Sequence, residues 1–103
     1  MRTKRKLFTV VVGDLVGSRR ISGRQALSQT ISTVIDRLSR EYKEEFHAPL
    51  VLTRGIDELS GVLKRSNMGY RICRLLNEGV YPNRFRFAIV KGTLDIGVSS
   101  RHA

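Results

Sequence analysis

The sequence predicts an α+β domain of the ferredoxin-like kind, βαββαβ, with an antiparallel sheet and both helices on one of its faces. Three observations predict it. An apolar, β-branched run, Leu7 to Val12, opens the chain; two later segments carry apolar residues at three- and four-residue spacing; and between those segments two short apolar runs flank a turn at Gly55 to Glu58. At 103 residues the chain is long enough for one such domain and too short for two.

The first run is apolar at nearly every position, as in a strand covered on both faces, so it belongs at the sheet centre. Ser22-Gly23-Arg24-Gln25 has the form of a capping box for the first helix, with Ser22 as N-cap. That helix is expected from Arg24 to Phe46, with Leu27, Ile31, Val34, Ile35, Leu38, Tyr42 and Phe46 forming one apolar stripe. His47 is expected to end it near its carbonyls, and Pro49 to mark the exit. Leu50 to Thr53 and Leu59 to Leu63 read as the hairpin strands. The second helix starts at a cap, Ser66 or Asn67, turns Met68, Ile72, Leu75 and Leu76 inward, and is expected to stop near Glu78 at Gly79. After Pro82, Arg84 to Val90 begins with strict alternation and reads as the last main strand, broken at Gly92, with Thr93 to Val98 a candidate further strand.

Composition narrows the function classes. No run approaches the ~20 apolar residues of a membrane span, so no membrane partner is expected. The basic-then-apolar start imitates a signal peptide, but Asp14 and Arg19-Arg20 interrupt it, so a cytoplasmic location is expected. One cysteine, Cys73, excludes an internal disulfide and reads as a core residue, and two histidines cannot complete a zinc set. The tyrosines and phenylalanines are expected mostly at core positions.

The net charge of +10 is unevenly placed. The expected first helix is neutral, and the excess lies in the basic arm at residues 1–6, the Arg19-Arg20 turn, the second helix and the later strands. Such a field attracts polyanions. A nucleic-acid interface would draw on Arg2, Lys4, Arg5, Lys6, Arg71, Arg74, Arg84 and Arg86, with Phe85 and Phe87 as a candidate stacking platform between arginines. Alternatively, the charge is neutralised by an acidic partner, or the chain is a structural subunit of a larger or homo-oligomeric protein.

Two acidic fragments suggest more specific chemistry. Gly13-Asp14-Leu15-Val16-Gly17-Ser18 follows the first strand, and Thr53-Arg54-Gly55-Ile56-Asp57-Glu58 forms the hairpin tip. In a βαββαβ domain these segments lie side by side, so Asp14 and Asp57 are expected to face each other. Two carboxylates ~5 Å apart repel by about 3 kcal/mol at an effective dielectric of 20, so they require a cation, a shared proton or arginines. Magnesium suits oxygen ligands that leave room for water and phosphate oxygens, with Glu58 a third candidate ligand. Gly17, Ser18, Arg19 and Arg54 are the candidates for holding the phosphates of a nucleotide. Neutralisation by Arg19, Arg20 or Arg54 is the competing reading.

On three segments the chain resembles the SatD family: Gly13 to Arg19, the Thr53-x-Gly55-x-Asp57-Glu58-Leu59-x-Gly61-Val62-Leu63 segment, and Arg84-x-Arg86-Phe87-Ala88-Ile89-Val90-x-Gly92. The family has no settled biochemical activity, so the resemblance implies kinship rather than a reaction. Its members continue past the point where this chain ends. The domain, residues 7–103, is therefore expected to be C-terminally incomplete.

A fainter likeness extends to class III nucleotidyl cyclases and related palm domains, which place metal carboxylates where Asp14 and Asp57 stand and a strand similar to Arg86 to Gly92 after them. Ile56, between Gly55 and Asp57, departs from that pattern, and the segment that would carry the cyclase's transition-state asparagine and arginine has no counterpart before Ala103. The likeness does not imply a working cyclase; the leading expectation is the magnesium and nucleotide-phosphate site at Asp14 and Asp57 read from the acidic pair, serving sensing or regulation rather than turnover.

Overall fold

The computed structural model describes residues 5–95, with side chains from 7 to 93. The elements run β1 (Arg5–Leu15), α1 (Arg24–Glu41), β2 (Phe46–Thr53), β3 (Glu58–Leu63), α2 (Asn67–Val80) and β4 (Phe85–Asp95). Short 3₁₀ turns at Ser18–Arg20 and Lys43–Glu45 flank α1. The sheet order is β2-β3-β1-β4 and every neighbouring pair is antiparallel. This is the ferredoxin-like arrangement that the order of apolar runs predicts.

Register decides which side chains face the helices. In β1, Val11 and Leu15 point into the core with Leu59 and Leu63 of β3 and Phe85 of β4. Leu27, Ile31, Val34, Ile35 and Leu38 of α1 and Met68, Ile72, Cys73, Leu76 and Val80 of α2 close it from one side. The alternate residues of β1 lie on the opposite face, where Val10 and Val12 are half-buried; among the described residues no helix covers that face. β1 is central as its composition suggests, but it is not helix-covered on both sides. Phe8 is shielded there by His47, whose ring centre lies 4.4 Å away.

Several local boundaries differ from the sequence expectation. α1 begins after Gly23, which takes a left-handed conformation, and no side chain caps it, so Ser22 and Gln25 form no capping box. The helix ends at Glu41, and Phe46 and His47 belong to β2. The stripe misleads because Tyr42 and Phe46 still pack against the core from the following turn and strand. Pro49 sits inside β2, an edge strand whose pairing is irregular between Ala48 and Val51, where a missing N–H is tolerated. Arg65 of the β3–α2 connection grips Glu45 with two hydrogen bonds, at 2.6 and 3.0 Å, which secures the end of the α1–β2 turn.

Gly79 does not end α2. It lies inside the helix where α1 crosses, and a Cβ there would stand 2.7 and 2.9 Å from the two methyl carbons of Val34. β4 likewise runs through Gly92, which pairs with Phe8, as far as Asp95; the candidate strand Thr93 to Val98 is thus partly a continuation of β4, and its last three residues lie outside the described ones. Tyr70 and Tyr81 are exposed rather than core residues. Cys73 is buried as expected, and burial pushes its thiol pKa up to about 11, which leaves it unreactive at neutral pH.

Candidate functional site

At one end of the sheet, cross-strand pairing assembles a polar row on the face without helices. Thr53 stands opposite Glu58, Glu58 opposite Asp14, and Asp14 opposite Arg86. Cross-strand partners share a face, so Asp14 lies between a carboxylate and a guanidinium. The Thr53 hydroxyl donates to Glu58 Oε1 at 3.3 Å. Beside the row Gly13 pairs with Phe87, whose ring lies over it; a Cβ on Gly13 would come within 2.6 Å of that ring. The glycine of the Gly13-Asp14 motif thus serves packing, while Asp14 faces away from the core.

Asp57 takes no part in this row. The Leu15 N–H donates to the Asp57 carbonyl at 2.9 Å, which extends the β1–β3 ladder one step beyond Asp14 and Glu58. Successive residues of a ladder point to opposite faces, so the side chain of Asp57 leaves on the helix side. There Arg24, the first residue of α1, donates to Asp57 Oδ1 at 2.8 Å and to the Ser18 carbonyl at 2.6 Å. The expectation that Asp14 and Asp57 face each other is therefore corrected: Glu58 is the carboxylate beside Asp14. Arg24, rather than Arg19, Arg20 or Arg54, makes the ion pair with Asp57. Ile56, just before Asp57, is buried in the core as well, so two successive residues of the tip turn to the helix side and strict alternation begins only with the ladder at Asp57.

The hydrogen bond from Arg24 holds the Asp57 carboxyl below the usual carboxylate range, with smaller contributions from the charges of Arg24 and Arg54 and from Ser18. A folded pKa below the unfolded one contributes stability above the unfolded pKa, and that contribution is lost as pH falls through the folded pKa. Arg24→Gln is expected to return the Asp57 midpoint toward its ordinary value in a carboxyl-detected NMR titration. It should also loosen the Ser18 turn. An unmoved midpoint would show that the pair does not form in solution.

Gly17 supplies the sharp turn after β1, with φ of 68°, and the 3₁₀ turn Ser18–Arg20 follows. Asp14, Gly17, Ser18, Arg19, Arg20 and Arg86 line a depression of about 360 Å³. Of the residues expected to hold phosphate, Gly17, Ser18 and Arg19 meet here, whereas Arg54 stands at the hairpin tip, in a left-handed conformation, and is not among the lining residues. Arg20 and Arg86 join the site; Arg86 could have been found from sequence only by pairing β4 with β1 in register. Among the described residues no three His, Cys, Asp or Glu side chains cluster at metal-binding distance, so Asp14, Asp57 and Glu58 do not make a three-carboxylate centre.

The nucleic-acid candidates are dispersed. Arg71 and Arg74 are exposed on α2, where Arg74 pairs with Glu78 at 2.8 Å, and Arg84 and Arg86 are exposed on or beside β4. Arg5 and Lys6 already belong to β1, while Arg2 and Lys4 lie outside the described residues. Phe85 is buried and Phe87 packs on Gly13, so these two rings form no exposed platform.

The segments that build the polar row and its turn are those that carry the family resemblance, and the model of the SatD family matches residues 8–102. The chain belongs to the SatD family. The match takes in all four strands from Phe8 onward and both helices, so kinship covers nearly the whole fold. No curated protein matches the chain. Among the described residues no helix is long and apolar enough to cross a membrane.

Proposed function

We propose that this SatD family domain binds the phosphates of a nucleotide, with magnesium, in the depression between the Gly17 turn and Arg86, as a regulatory module. The observation that carries the reading is the convergence of Arg19, Arg20 and Arg86 with Gly17 and Asp14 on one hollow of about 360 Å³. Arginines bind phosphate oxygens with charge-assisted, often bidentate hydrogen bonds, and their charge exceeds that of the single lining carboxylate. Asp14 and Glu58 are cross-strand neighbours, and their mutual repulsion falls when a cation enters between them.

Two side-chain carboxylates are few for a protein-only magnesium site. They suit an ion that keeps several waters and takes its remaining ligands from phosphate. Magnesium is therefore expected to bind weakly alone and more tightly with a nucleoside triphosphate.

Thermal denaturation with and without ligand tests this. Magnesium with a nucleoside triphosphate at tenfold over Kd should stabilise the fold by about 1.4 kcal/mol. Arg20→Glu should remove the whole effect, while Asp14→Asn should remove only its magnesium-dependent part. No shift with millimolar nucleotide, with or without magnesium, would exclude the site. Stabilisation by duplex DNA that fades steeply with salt and is insensitive to Arg20 would instead assign the basic field to nucleic acid.

A further inference from the structure

β4 is an edge strand, and among the described residues nothing pairs with its outer side. Its backbone is nonetheless recognised at one point. The Asn77 amide donates to the Phe85 carbonyl at 3.1 Å, and the Phe85 N–H donates to Asn77 Oδ1 at 2.8 Å. A side-chain amide of α2 thus imitates the peptide unit of a neighbouring strand. The contact also shows which way the strand faces: the N–H and C=O of Phe85 point away from β1, and the β1–β4 register is continuous. The same groups of Phe87, Ile89 and Lys91 therefore face outward, since strand polarity repeats every two residues.

Alongside this edge, α2 and β4 bound an open groove of about 850 Å³. Its floor is apolar, with Cys73, Phe87 and Ile89, and Ile89 is 41% exposed. Tyr70 and Tyr81 are 74% and 83% exposed at its walls. Arg74, Arg84 and Arg86 make the rim basic, and Glu78, the acidic residue of the lining, is held by Arg74 at 2.8 Å. A groove between a helix and a free strand edge suits an extended peptide, bound through its main chain with alternate side chains in the groove.

We propose that the α2–β4 groove docks an extended acidic segment of another protein, which adds to the sheet as a strand antiparallel to β4 beyond the point closed by Asn77. Apolar side chains of the added strand enter the groove over Phe87 and Ile89. Its carboxylates alternate with them and lie on the other face, beside Arg84 and Arg86. Charge selects this occupant over a second copy of the chain, because strand pairing between two copies would juxtapose two molecules of net charge +10. The surface is independent of the proposed phosphate site except for Arg86, so the test leaves Arg86 unchanged.

The probe is an acetylated, amidated peptide of about eight residues that alternates aspartate and valine, titrated into the full-length chain and followed by amide hydrogen exchange in NMR spectra. Saturating peptide should slow exchange at Phe87, Ile89 and Lys91 by at least about tenfold, with little change at Ala88 and Val90, whose amides already face β1. Arg84→Glu on the exposed rim should weaken binding about tenfold, and a counterpart peptide with lysine for aspartate should not bind. Slowed exchange elsewhere only, equal binding of the lysine peptide, or no binding at millimolar peptide would overturn the proposal. So would concentration-dependent protection of the same three amides without peptide, which would assign the edge to a second copy.

Discussion

Phe85→Ala is expected to lower the free energy of unfolding by about 3–5 kcal/mol, the usual loss when a buried phenylalanine is truncated. The ring is only 2% exposed, between Leu15 on the neighbouring strand and the inner side of α2, so its removal leaves a void that neither element can fill without moving. A domain of this size has a total stability of order 5–15 kcal/mol, so much of the variant should be unfolded at modest urea concentrations. Phe87→Ala should cost less because its ring is only half-buried, and Tyr70→Ala and Tyr81→Ala should change stability by no more than about 0.5 kcal/mol. That order, measured by urea denaturation, tests the orientation of β4. A loss under about 1 kcal/mol at Phe85 would mean that the ring faces solvent and would reopen its use as a stacking surface.

Gly79→Ala should destabilise the fold by about 1–3 kcal/mol, although alanine is favoured over glycine in a helix by about 1 kcal/mol. The new methyl would meet both methyl groups of Val34, and a β-branched side chain in a helix has little rotamer freedom with which to yield. The helices must then move apart, loosening contacts along the α1–α2 seam. Val34→Ala in the same chain removes the obstacle. The double variant should therefore be more stable than the sum of the single losses predicts, a coupling that a double-mutant cycle measures directly. A stabilising Gly79→Ala would show that the helices do not cross closely at this point.

Only part of the candidate site was legible in the sequence. Gly13 to Ser18 and Arg54 to Glu58 identify two neighbouring connections because fold order alone brings the end of β1 and the β2–β3 tip together. Which carboxylates meet is a question of phase. Asp57 and Glu58 are adjacent in sequence and leave the hairpin on opposite faces, and a shift of one residue exchanges them. The choice was made by the ladder bond from Leu15 to Asp57 and by the contact of Arg24 with the Asp57 carboxylate, both of them non-local. Arg24 reads in sequence as an ordinary first-turn helix residue. Its role in binding Asp57 and the Ser18 carbonyl follows from where α1 starts relative to the hairpin.

The order of elements, most of the core and the family follow from the amino-acid sequence without reference to any long-range contact. Each rests on apolar spacing or on local motifs, which survive without knowledge of any distant contact. Val11, Ile31, Leu38, Leu59, Ile72 and Leu76 are buried because strand and helix periods put them on inward faces. Tertiary structure alone decided the end of α1 at Glu41, the continuation of α2 through Gly79 and of β4 through Gly92, and the pairing of Asp14 with Glu58 and Arg86. In each case a local signal of stop or continuation is worth about 1 kcal/mol or less. Packing of an apolar face, or the register of a long strand pair, sums many such contributions and overrides it.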